Sequence, residues 1–102
     1  MTGGGDERTD ADAFVLPITG ELDLHAFAPR DAVGVVEDYL DECRRRGVLE
    51  VRIVHGRGQG VRRAEVRRVL AQRGDVRDFR DAPPADGGWG ATLVLLAPRE
   101  VK

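Results

Sequence analysis

A carboxylate and an imidazole stand two residues apart in Glu21-Leu22-Asp23-Leu24-His25. On a strand, residues i and i+2 project to the same face, so Asp23 and His25 are expected side by side. A carboxylate beside an imidazole orients it and suits it to general acid or base work. The same pair also reads as a surface salt bridge or a strand-end hydrogen bond. A second histidine opens His55-Gly56-Arg57-Gly58-Gln59-Gly60, where three glycines fall at alternate positions. Glycines between a strand and a helix let the backbone approach a ligand closely. The unpaired N–H groups of a helix N-terminus attract anions, and a phosphate is the natural ligand. The loop lacks the Lys-Ser/Thr of a P-loop and the full dinucleotide-binding spacing, and a tight strand-to-helix turn explains its glycines equally well. Metal binding by two histidines and a carboxylate is conceivable here. It ranks lower, because no supporting pattern accompanies it, and no cofactor is expected. Trp89, in Gly87-Gly88-Trp89-Gly90, reads either as an aromatic that stacks on a base or, slightly preferred, as a cover for the sheet edge. Cys43 falls on an apolar helix stripe and reads as packed rather than reactive.

Four strands and two helices must position these groups. Leu22 and Leu24 alternate with Asp23 and His25, which predicts a half-buried strand over Glu21–His25. Pro29 suits the first turn of a helix. Asp31 near its start and Arg44-Arg45-Arg46 at its end suit the helix dipole. Val33, Val36, Leu40 and Cys43 form one stripe with Tyr39 beside it. Gly47 is the expected stop, so the first helix spans about Pro29–Arg46. Val48–His55 reads as the second strand. Val61–Arg73 reads as the second helix, with Val66, Val69 and Leu70 inward and Arg62, Arg63, Arg67 and Arg68 mostly on other faces. Val76–Asp81 is a short third strand, Ala82–Gly88 a turn, and Ala91–Ala97 a buried fourth strand. The order β-α-β-α-β-β implies a parallel start and a closing hairpin. The expected fold is therefore an α/β sandwich with a mixed four-stranded sheet and two helices on it. His25 and His55 end the first two strands. If those strands are neighbours, Asp23, His25, His55 and the glycine loop converge on the carboxyl rim of the sheet, where ligands bind in such folds.

The chain has 102 residues, enough for one core. Residues 1–13 are polar and acidic and are expected to form a flexible tail. Residues 14–102 are expected to form one domain, with Phe14-Val15-Leu16-Pro17-Ile18 as an edge strand or an extended arm. A net charge of −2 argues, on its face, against a polyanionic partner. The sum conceals a segregation: residues 1–42 hold eleven acids and two bases, residues 43–102 fourteen bases and seven acids. Arg57–Arg80 alone holds eight arginines against three acids. Arginine offers a planar fork of donors matched to phosphate oxygens, although such a stretch also reads as a solvated helix face. No run of eighteen apolar residues is present, which excludes a membrane-spanning helix. A single cysteine permits no internal disulfide, and the acidic N-terminus is not a secretory signal. These features favour the cytoplasm.

Three motifs in order resemble the Smr (small MutS-related) domain family. Leu22-Asp23-Leu24-His25 is similar to its Leu-Asp-Leu-His-Gly motif. His55-Gly56-Arg57-Gly58-Gln59-Gly60 is similar to its glycine loop, followed by an Arg, here Arg62 or Arg63. Gly88-Trp89-Gly90-Ala91-Thr92 resembles the entry to its last strand. The likeness covers about Ile18 to Leu96. It implies a two-layer α/β sandwich similar to the C-terminal domain of a bacterial translation initiation factor. It also implies nucleic-acid binding and, in several members, endonuclease activity on DNA or RNA. On that reading Asp23, His25 and His55 are the catalytic candidates. Gly56, Arg57, Gly58, Gly60, Arg62 and Arg63 are the phosphate-holding candidates. One departure is Ala26 in place of the family's Gly, where a methyl restricts the backbone. It favours, as the alternative, a non-catalytic module docking on branched nucleic acid or the ribosome. An adaptor that binds a protein through the acidic tail ranks last.

Overall fold

The computed structural model describes residues 18–58 and 60–99. The expected acidic tail and the run Phe14–Pro17 lie outside the described residues. The elements in chain order are β1 (Glu21–Asp23), α1 (Ala32–Arg45), β2 (Glu50–Val54), α2 (Val61–Gln72), β3 (Val76–Asp81) and β4 (Ala91–Leu96), with short 3₁₀ turns at Leu24–Ala26, Pro29–Asp31, Pro84–Asp86 and Gly88–Gly90. The sheet order is β1-β2-β4-β3. β1 pairs parallel to β2, with Leu22 opposite Ile53, and β4 runs antiparallel to both β2 and β3. This is the expected mixed four-stranded sheet with two helices.

One sheet face carries the core. Leu22, Val51, Ile53, Val94 and Leu96 are buried there together with Val36, Tyr39, Leu40 and Cys43 of α1 and Val66, Val69 and Leu70 of α2. Burying large apolar side chains against the helices is the main stabilising term, about 1.5–3 kcal/mol for each. Tyr39 belongs inside the α1 stripe rather than beside it. Its hydroxyl donates to the Glu21 carbonyl at 3.0 Å and accepts from Gly20 N–H at 3.1 Å, which ties the helix to the start of β1. Burial pushes the Cys43 thiol up to about 11, the behaviour of a packed cysteine.

Boundaries shift where local hydrogen bonds overrule the apolar pattern. The strand expected to reach His25 stops at Asp23. The Asp23 side chain accepts from His25 N–H at 2.9 Å and bends the chain into a 3₁₀ turn. The helix expected from Pro29 begins as a separate 3₁₀ turn and becomes α-helical at Ala32. It ends as expected before Gly47. There Val48 N–H reaches Cys43 O at 2.8 Å and Gly47 N–H reaches Arg44 O at 3.1 Å, satisfying carbonyls the last turn leaves open. β3 spans Val76–Asp81 as expected, with an irregularity between Val76 and Asp78.

The arginine-rich stretch is not one solvated face. Arg73 bonds Asp75 and Asp41, each at 2.6 Å, and Arg44 joins Asp75 at 3.3 Å and the Ala97 carbonyl at 2.9 Å. Arg62 pairs with Glu65, and Arg63 and Arg67 converge on Asp81. Among the described residues of the stretch, Arg57, Arg68 and Arg77 have no carboxylate partner. No helix among the described residues is long and apolar enough to cross a membrane.

Candidate functional site

The ends of β1 and β2 lie side by side because the two strands pair in parallel. The turn after β1 and the glycine loop after β2 therefore face each other. Between them opens a cleft of about 540 Å³, walled by Leu24, His25, Phe27 and Pro29 on one side and by His55, Gly56, Arg57, Gly58, Gly60, Val61 and Arg62 on the other. His25, His55, Gly56, Arg57, Gly58, Gly60 and Arg62 thus share one rim, as the strand order requires. Asp23 stands behind His25. Arg63 does not line the cleft.

Asp23 and His25 meet through the 3₁₀ turn, not by projecting from one strand face. His25 Nδ1 lies 2.8 Å from Asp23 Oδ1, with both side chains more than half exposed. The backbone N–H of His25 is the main influence holding the Asp23 carboxyl below its ordinary value, and contact with the imidazole acts in the same direction. An ionised carboxylate only accepts, so Nδ1 carries the hydrogen in this pair. Nε2 is then turned to Gly56: a Cβ built at Gly56 would lie 2.9 Å from it. Gly56 also has φ +79°, in the left-handed region. Ala26, the departure noted above, is exposed and ends the turn, and no non-glycine among the described residues has positive φ. Its methyl imposes no backbone strain.

His55 has a different environment. It is buried, with Nδ1 2.9 Å from the Gly56 carbonyl and Nε2 2.8 Å from Thr92 Oγ1. Burial lowers its pKa, favouring the neutral ring. Among the described residues no group of three or more His, Cys, Asp or Glu is arranged to hold a metal ion.

α2 starts at the cleft wall. Gly60 is its N-cap and offers no capping side chain, so among the described residues its first-turn N–H groups remain available to an anion. Arg57 is exposed, and its guanidinium reaches over the Gly87–Gly90 turn: Nη2 is 3.4 Å from Gly87 O, and a Cβ at Gly88 would lie 2.8 Å from it. That turn also supports the loop from below, since Gly90 O accepts from both His55 N–H at 3.1 Å and Gly56 N–H at 2.9 Å. Sequence reasoning missed this linkage, although it had singled out both motifs; their shared glycine content was the available signal. It also missed Phe27 and Pro29 as cleft residues. Trp89 sits in the 3₁₀ turn that packs against the edge strand β3. It is 42% exposed, with the Arg63 guanidinium 5.7 Å from its ring centroid.

Fold and site define a small two-layer α/β domain with a basic, glycine-walled cleft at the carboxyl ends of its parallel strands. The chain belongs to the Smr domain family, whose model matches residues 22–97. It is 38% identical over 78 residues to the Endonuclease MutS2 of Thermus thermophilus, covering 76% of this chain and 10% of that one. It is 39% identical over 80 residues to the Endonuclease MutS2 of Pelotomaculum thermopropionicum, again 10% of the longer protein. The chain therefore spans about a tenth of the length of these relatives. The crystal structure of the Smr domain of Thermus thermophilus MutS2 superposes with a TM-score of 0.74 at 38% identity, over 78% of this chain and all of that one. The crystal structure of YdaL, a stand-alone small MutS-related protein from Escherichia coli, gives 0.72 at 28% identity over 79% of this chain and 66% of that one.

Proposed function

We propose that this protein binds nucleic acid through the cleft and cuts a phosphodiester there. The observation that carries the reading is the placement of His25, Arg57, Arg62 and the glycine loop around one open cleft, with Asp23 orienting the imidazole. The names of the MutS2 relatives support the endonuclease part. Arg57 would hold phosphate oxygens, Arg62 would do so only on leaving its pair with Glu65, and the first-turn amides of α2 would take a further one. With Nδ1 held by Asp23, His25 Nε2 would accept the proton of the attacking oxygen as its bond to phosphorus forms. The bond from phosphorus to the leaving oxygen then breaks, and that oxygen leaves with the electron pair. Arg63 would contribute indirectly, since it is committed to Asp81. His55 would be a positioning residue that fixes the loop through Gly56 and Thr92.

The test is cleavage of structured RNA and of nicked or branched DNA, with and without divalent metal, by the wild type and by His25→Ala. The wild type should cut and the variant should lose most of that activity while binding substrate. Equal cleavage by both would remove His25 from the mechanism. Salt-dependent binding with no cleavage by either would reduce the protein to a binding module. Binding should weaken steeply with salt, because phosphate contacts release counterions.

A further inference from the structure

Outside the cleft, the feature that the reading above leaves unused is Trp89. It is the only tryptophan in the chain, and it is exposed. Its backbone is fixed in a 3₁₀ turn by Gly88 N–H to Pro83 O at 3.0 Å and Gly90 N–H to Gly87 O at 3.1 Å. Arg63 lies over the ring, and Arg63 itself is clamped on the Asp81 carboxylate by contacts of 2.8 and 3.1 Å. A cation fixed over an indole restrains the ring while leaving it accessible. Trp89 keeps about two-fifths of its surface exposed, 42%.

Trp89 and the cleft lie on either side of Arg57. The Arg57 side chain lines the cleft, and its guanidinium rests against Gly88, the residue before Trp89. The guanidinium has no carboxylate partner among the described residues. A strand whose phosphate is bound by Arg57 would pass the turn that carries Trp89. In a paired and stacked duplex each base faces its partner. Only an unpaired base can turn out onto an aromatic surface.

We propose that Trp89, held by Arg63 and set beside Arg57, is a stacking platform for one unpaired nucleobase of a strand whose phosphates occupy the glycine-loop cleft. This deepens the nucleic-acid reading and rests on it. The preferred ligand is then single-stranded or locally unpaired nucleic acid, of DNA or RNA, and not a continuous duplex.

Because Trp89 is the only tryptophan, its fluorescence reports on the platform alone. The full chain is titrated with a short single-stranded DNA, the RNA of the same sequence, and that DNA annealed to its complement. Binding is followed separately by anisotropy of a label on the nucleic acid. The expected result is quenching of Trp89 by one or both single strands over the range where anisotropy rises, and no comparable quenching by the duplex. Trp89→Ala should weaken single-strand binding about 5- to 160-fold, the usual range for one base–aromatic stack. Trp89→Phe, which keeps an aromatic ring, should restore most of it. Binding without quenching, quenching with no loss of affinity in Trp89→Ala, or equal quenching by duplex would each overturn the platform while leaving nucleic-acid binding intact. No anisotropy change with any of the three would overturn both.

Discussion

Gly56 lies against the imidazole of His25, so closely that a Cβ on Gly56 would stand 2.9 Å from Nε2. This contact joins the first two motifs of the sequence within the cleft lining. Gly56→Ala should therefore do two things. It should destabilise the fold by about 1–2 kcal/mol, because φ +79° is strained for alanine. It should also displace His25. Gly47 provides the control. It has φ +77° but nothing within 4 Å of a built Cβ, so Gly47→Ala should show the backbone strain alone. Urea denaturation of both variants, with the His25 ring resonances followed by NMR, separates strain from contact. Unmoved His25 resonances in Gly56→Ala would refute the contact.

Asp23 acts on His25 twice, accepting from its backbone N–H and from its ring. Asparagine keeps an oxygen for the backbone bond, and Asn caps as well as Asp. Asp23→Asn should therefore change stability by no more than about 0.5 kcal/mol. It removes the charge that fixes the imidazole tautomer. Cleavage should fall at least about tenfold, with substrate affinity nearly unchanged. Thermal melting and single-turnover cleavage measure the two effects independently.

The layers of this fold were legible because they depend on short-range signals. The stripe of Val36, Leu40 and Cys43, the stop at Gly47 and the span Val76–Asp81 need only local periodicity and backbone preference. Parallel pairing of β1 and β2 followed from the helix between them, and it brought His25 and His55 to one rim. The end of β1 at Asp23 escaped because a side chain competing for a backbone N–H ends a strand without altering its apolar alternation. The environment of His55 escaped because its partner, Thr92, is thirty-seven residues away. The fate of the arginines escaped for the same reason: Asp81 takes up Arg63 and Arg67, leaving Arg57 as the exposed cation on the cleft. Net charge was uninformative because ion pairing, not composition, decides which cations remain available.

That selection of cations predicts a salt effect. Arg57→Ala should weaken nucleic-acid binding and reduce the slope of log affinity against log salt by about one. Arg68 is also an arginine without a carboxylate partner among the described residues, but it lies on α2 away from the cleft lining. Arg68→Ala should leave the slope within error. Anisotropy titrations across a range of salt concentrations compare the two, and equal slope changes would place the phosphates elsewhere.

His55 predicts the pH dependence of stability. Burial is the main cause lowering its pKa, and the nearby Arg63 and Arg67 act in the same direction, against the Gly56 carbonyl and Asp81. A histidine with a depressed folded value binds a proton more readily when unfolded. Its contribution is therefore complete above the unfolded value, about pH 6.5, and is lost as pH falls through the folded value. Asp75 is also lowered, chiefly by its hydrogen bond to Arg73, and its contribution is lost in the same sense but only below about pH 4. The His55 loss therefore begins at higher pH than the Asp75 loss. Between pH 7 and pH 5 the urea midpoint of the wild type should fall. His55→Gln, which keeps polar atoms near Thr92 but cannot titrate, should be less stable at pH 7 and should show a smaller fall over that interval. Parallel midpoint curves for the two proteins would mean that His55 is not held neutral by its burial.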